Sequence, residues 1–208
     1  MMKKVLFLPM LALSLSLMAE RIEPIPFGDM EQWAVRYIKE SKLLGGQTKT
    51  LYCLAPTDTI RKNAPYIFGQ NGNPWATSNA YANVAGIEKA AGTMQPEARE
   101  DGGTCCRLDV DMLSVKAFKI IDIQVLVSGT LFTGRNIEPI TTAADPYQNI
   151  DFGVPFTERP SALMFDYKCV IEQEGWYWYA KGLGAPKKRV YENGEIDEAE
   201  AYIYLQHR

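Results

Sequence analysis

Trp176-Tyr177-Trp178-Tyr179 sets four aromatic rings in succession. A strand sends alternate side chains to opposite faces, so these residues put the two tryptophans on one side and the two tyrosines on the other. If one pair is buried, the other faces outward, and exposed indoles offer a flat apolar surface on which the C–H face of a sugar ring stacks. Edge aromatics with a packing role are the competing reading. Trp75 and Asn79 form a second candidate pair, because both fall in a stretch that reads as loop and combine a ring with an amide able to bind hydroxyls; core packing is the alternative for Trp75. Arg135, Arg159 and Asp166 add polar groups, the arginines suited to acidic sugars, although solvated corner residues account for them equally well.

Catalytic arrangements are harder to assemble. His207 is the only histidine and stands one residue from the end, a poor place to hold the geometry of a Ser-His-Asp or Cys-His site. Gly129 and Gly134 are spaced as in a P-loop, but Arg135-Asn136 follow where Lys and Ser or Thr must meet phosphate and magnesium. They read instead as glycines at strand corners. Glycoside hydrolysis needs two carboxyl groups about 5–9.5 Å apart, and Glu97, Asp109, Asp111, Asp151 and Asp166 are candidates by type alone.

The 208 residues carry 22 basic and 25 acidic side chains, a net charge of −3 that does not favour nucleic acid. Lys3-Lys4, the apolar run Val5–Met18 and Ala19 have the parts of a secretory signal peptide over residues 1–19. The run is shorter than the ~20 residues of a membrane span, so no transmembrane helix is expected after cleavage. Export to the periplasm or cell surface follows as the expectation, with residues 20–208 forming one domain. Cys53, Cys105, Cys106 and Cys169 would then meet an oxidising compartment. Buried free thiols are the simplest reading, and a disulfide involving Cys53 or Cys169 stays open. No Cys-x-x-Cys spacing supports zinc.

The elements that must position these groups read as strands. Residues 29–44 and Thr48–Leu54 suit two antiparallel strands joined at Gly45-Gly46. Asn63–Trp75 reads as loop, and Ala80–Asp101, polar and glycine-punctuated, as a long surface excursion. Cys105–Leu113, Ile120–Ser128, Tyr167–Glu172, Trp176–Ala180 and Ala201–Leu205 read as strands, Ile120–Ser128 apolar enough for a central one. Lys187-Lys188-Arg189 reads as a charged loop and Glu192-Asn193-Gly194 as a turn. Many short strands indicate an all-β fold, a β-sandwich or jelly roll with long surface loops.

Between Ser128 and Lys168 the succession Ser-Gly-Thr-Leu-Phe-Thr-Gly, Glu138-Pro139-Ile140, Asn149–Phe156, Arg159–Leu163 and Phe165–Lys168 resembles the signature of the putative carbohydrate metabolism domain family. Gly28-Asp29-Met30-Glu31-Gln32-Trp33, Glu40-Ser41, Pro74–Asn79, Gly86-Ile87, Pro96-Glu97 and Cys106–Asp109 fall in the same order. The resemblance spans residues 25–205, with Met30 in place of the usual Phe. It implies a galactose-binding-like jelly roll secreted by glycan-foraging gut anaerobes. No cofactor is expected, and Glu31 is the candidate ligand should a structural calcium be held as in many jelly-roll modules, where an acid from the final strand completes the site. Relatives continue with further strands past the region of Asp197–Arg208, so the sandwich is expected to lack its last strands and leave an edge open to a protein partner. The leading expectation is a non-catalytic glycan-binding or glycan-utilisation accessory domain; a structural or adhesion-type subunit and a two-carboxylate hydrolase are the alternatives.

Overall fold

Alternation in β1 (Trp33–Lys39) lays down the first layer: Ala34, Arg36 and Ile38 are all buried, whereas Lys39 is exposed. β2 (Thr48–Leu54) pairs with it antiparallel, and β3 (Asp58–Ile60) adds a parallel strand on the other side. Gly45 turns the chain between β1 and β2 in the left-handed conformation, after a short 3-10 turn at Lys42–Leu44. The computed structural model describes residues 21–117, 121–142, 148–170, 176–179, 186–190 and 198–206. The signal-peptide segment 1–19, the turn at Glu192-Asn193-Gly194 and His207 lie outside them.

The second layer is organised by β12 (Leu131–Glu138). It pairs antiparallel with β4 (Tyr66–Ile67), β5 (Trp75–Thr77) and β13 (Ile150–Phe152). Ala34, Cys53 and Ala55 from the first layer pack against Phe68 and Ala76, with Tyr66 and Phe132 over them. Two hairpins, β6 (Ala80–Val84) with β7 (Ile87–Ala91) and β8 (Met94–Ala98) with β9 (Thr104–Leu108), extend this core. Tyr81 and Ala90 close on Ile38 and Leu51, while Met94 joins Trp33 and Leu54. β10 (Val110–Ala117) and β11 (Ile121–Ser128) form an antiparallel ribbon, and β14 (Trp176–Tyr179) pairs with β15 (Lys187–Val190). The chain is an all-β sandwich. Among the described residues, no helix is long and apolar enough to cross a membrane.

Several local expectations change. Residues 80–101 are not a surface excursion: they make three strands, because Tyr81 and Ala90 pack into the core, and Ala85-Gly86 closes a two-residue turn with both φ values positive. The stretch 63–75 contains β4 and the start of β5. Gly134 lies inside β12, at no corner. A Cβ on Gly69 would stand 1.9 Å from the Gly134 carbonyl oxygen, and one on Gly134 would stand 2.3 Å from that of Asp151. Glycine is needed there for three backbones to approach. β11 pairs only with β10 among the described strands, so its apolar run marks a hairpin partner and no central position. Residues 161–170 and 201–206 form no strand, and Lys187–Val190 is a strand where a loop was expected.

Candidate functional site

A two-stranded ribbon places residues that face each other across the ladder on one side, and this rule builds the site. In the β14–β15 hairpin Trp178 stands opposite Lys188 and Trp176 opposite Val190; Tyr177 and Tyr179 stand opposite Arg189 and Lys187. The two indoles share a face and meet edge to face, with ring centres 5.8 Å apart and planes at 88°. Trp176 is half-buried and Trp178 is 38% exposed. Lys188 reaches over both rings, its Nζ 3.6 Å from the centre of Trp176 and 5.4 Å from that of Trp178. On the opposite face the Arg189 guanidinium lies 3.7 Å from the Tyr179 ring centre. Such contacts contribute about 0.5–1 kcal/mol each at exposed sites. They give a short ribbon a fixed face, with indole edges and an ammonium held ready for a ligand.

The other expected site residues lie elsewhere. Trp75 is in β5, half-buried against the cluster of Trp33, Leu54 and Met94, and its Nε1–H donates to the Pro26 carbonyl at 2.8 Å. Asn79 is fully buried. Its Nδ2 donates to the Tyr52 and Met94 carbonyls at 2.8 and 2.7 Å, and its Oδ1 accepts from the Thr93 and Met94 N–H groups at 2.8 and 2.9 Å. Both hydrogens and both lone pairs of the amide are thus engaged by backbone, which ties β2 to β8. Arg135 is exposed on β12 opposite Asp151. Asp166 is exposed and lends its charge to the Arg99 guanidinium. Of the expected site residues, Trp176 and Trp178 are a pair that the structure brings onto one face.

Two of the candidate carboxylates, Glu97 and Asp109, share one cation. Arg107 lies between Glu97 and Asp109, its Nη1 3.3 Å from Glu97 Oε2 and its Nε 2.8 Å from Asp109 Oδ1. A guanidinium thus holds the position between them that a glycosidic oxygen would need. Glu138 has one mark of a catalytic acid, since burial pushes its carboxyl above the ordinary carboxylate range against the pull of Arg36 and of the Tyr81 N–H. It is sealed in the core, however, and Arg36 Nη1 approaches its Oε2 at 2.7 Å while the guanidinium stacks 4.5 Å from the Tyr66 ring centre. The contact is close but poorly aligned for a hydrogen bond, so Arg36 Nη1 and Nη2 and Glu138 Oε2 are buried without a hydrogen-bond partner, while the guanidinium stacks on Tyr66 and Phe68. Breaking one partner of such a pair costs about 3–5 kcal/mol. The pair is a structural clasp between the layers.

Glu31 accepts the Thr104 N–H at 2.9 Å, and a Cβ on Gly103 would stand 2.8 Å from the same Oε1. Among the described residues no group of three or more His, Cys, Asp or Glu side chains is placed to hold a metal. That donor set does not fit a calcium ion, which takes six to eight oxygens. Glu31 fastens the amino-terminal segment to β9.

Lys188 and Arg189 escaped the sequence reading. A signal for them was present: two β-compatible runs, Trp176–Tyr179 and Lys187–Val190, flank a stretch with Gly182, Gly184 and Pro186, which is the pattern of a hairpin. The four thiols are free, Cys53 buried and Cys169 exposed. Neither the curated proteins nor the solved structures contain a match to this chain. Residues 57–208 match the putative carbohydrate metabolism domain, a region that includes the Ser128–Lys168 succession, the β12 layer and the aromatic hairpin. Matched over most of its length, the chain belongs to the putative carbohydrate metabolism domain family.

Proposed function

We propose that the chain is an exported, non-catalytic glycan-binding accessory domain of carbohydrate metabolism, with a galactose-binding-like jelly-roll order, working in the periplasm or at the cell surface. The observation that carries this reading is the edge-to-face pair of half-buried Trp176 and exposed Trp178 on the β14–β15 hairpin. A sugar ring stacks its C–H face on an indole at little entropic cost, since a paired aromatic is already ordered. Family membership supports a carbohydrate as the partner. The signal-like residues 1–19 support export. Titration of the full chain with a panel of soluble polysaccharides, followed by tryptophan fluorescence, tests the reading. A saturable change that weakens at least tenfold in Trp178→Ala is expected; no response to any polysaccharide class overturns it. Release of reducing ends from a bound polysaccharide would overturn the non-catalytic part.

A second reading has its own observation. β13 stands at the edge of the β12 layer, and Phe152, Phe156, Phe165 and Tyr167 are exposed on and after it. An edge strand beside apolar surface accepts a strand from a protein partner. On this reading the chain is a structural or adhesion-type subunit, and a complex that persists without sugar and is lost on Phe152→Lys supports it. A complex that forms only in the presence of sugar overturns it.

A further inference from the structure

We infer that the glycan taken by the β14–β15 hairpin is acidic, carrying carboxylate or sulfate groups; this rests on the glycan-binding reading of that same hairpin. The inference starts from the position of Lys188. Its ammonium lies 3.6 Å from the Trp176 ring centre and 5.4 Å from that of Trp178, so one cation serves both indoles. A neutral pyranose stacking on Trp176 must displace that ammonium and forfeit the cation–π contact. An anionic sugar does not. Its carboxylate or sulfate pairs with Lys188 where the ammonium already stands, while the ring's C–H face lies on the exposed indole of Trp178. Charge and stacking then act together.

The remainder of the hairpin has the same sign. Lys187, Lys188 and Arg189 are consecutive on β15, and no acidic residue occupies either strand of the pairing. Arg189 is held over the Tyr179 ring at 3.7 Å. Both faces of the ribbon thus present a cation on an aromatic, within a chain whose net charge is −3. Positive charge gathered on three aromatic rings, against an overall negative charge, marks a local site for an anion. Single-stranded nucleic acid also uses stacking on aromatic residues beside cations, but membership of a carbohydrate family favours a sugar as the anion's carrier.

Polygalacturonate and its carboxyl-methyl-esterified form differ in charge and share their sugar, so they separate the two claims. Binding of each to the full chain is measured by calorimetry at low salt, with Lys188→Gln, Lys188→Arg and Trp178→Ala in parallel. The expected result is at least tenfold tighter binding of the charged polymer, a preference that shrinks as salt rises, disappears in Lys188→Gln and is kept in Lys188→Arg. Equal binding of both polymers by the unsubstituted chain overturns the acidic specificity and leaves glycan binding standing. Failure of both, together with a neutral panel, overturns the hairpin reading itself. Tighter binding of oligothymidylate than of polygalacturonate also overturns the inference, assigning the cations to nucleic acid.

Discussion

Asn79 shows how a side chain chosen for ligand chemistry can be consumed by the fold. Its amide meets four backbone groups from β2, the 92–94 turn and β8. Each buried group left unpaired costs about 1–3 kcal/mol, so Asn79→Ala is expected to lower unfolding free energy by about 3–5 kcal/mol, read from urea denaturation, with glycan binding per folded molecule unchanged. The thiols carry a second residue-level prediction. Burial pushes the Cys53 thiol up to about 11 and the Cys106 thiol up to about 12 from an ordinary 9.0. A raised folded value keeps the full stability contribution below pH 9.0, where the unfolded thiol also holds its proton. That contribution is lost as pH rises through the folded values. Melting temperature is therefore expected to fall between about pH 9 and 11, Cys53 alone accounting for on the order of 2–3 kcal/mol. A melting temperature that stays level from pH 8 to 11 contradicts it.

At the scale of elements, the hairpin and the core part company. Trp178→Ala is expected to leave the melting temperature within about 2 °C of the unsubstituted chain while binding is lost, as for a surface substitution. Trp75→Ala is expected to destabilise by about 3 kcal/mol or more, because it empties a site among Trp33, Leu54 and Met94. Differential scanning fluorimetry beside the polysaccharide titration checks both. The alternation in Trp176–Tyr179 was legible because period 2 assigns faces without knowledge of the rest of the chain. β1 and β2 were legible for the same reason, with a glycine corner between them. Residues 80–101 were not, since alanine and glycine are poor strand formers by propensity and fit here only because Ile38 and Leu51 close over Tyr81 and Ala90. Arg36 and Glu138 were missed because their pairing links β1 to β12, a contact across a hundred residues that no local pattern encodes. Arg36 did carry one clue, since alternation puts it on the same face as Ala34 and Ile38.

Over the whole molecule, the packed layers and the proposed ligand surface occupy different parts of the chain. The layers run from β1 to β13, fixed by interlocking clusters and the Arg36–Glu138 clasp. The aromatic hairpin follows them in sequence and exposes Trp178 and Tyr179. Phe152, Phe156, Phe165, Tyr167, Tyr202 and Tyr204 add exposed apolar surface along the same part of the chain. Family membership points to a carbohydrate-associated role, and the proposal places the sugar on the hairpin. The four tryptophans supply the most direct test, because each has one indole N–H and two of them are already engaged, Trp33 by the Met30 carbonyl and Trp75 by the Pro26 carbonyl. In a proton–nitrogen correlation spectrum of the full chain titrated with polygalacturonate, the indole signals of Trp176 and Trp178 are expected to move in a saturable way while those of Trp33 and Trp75 stay fixed. Movement of Trp75 with Trp176 and Trp178 unmoved would contradict the hairpin as the binding surface.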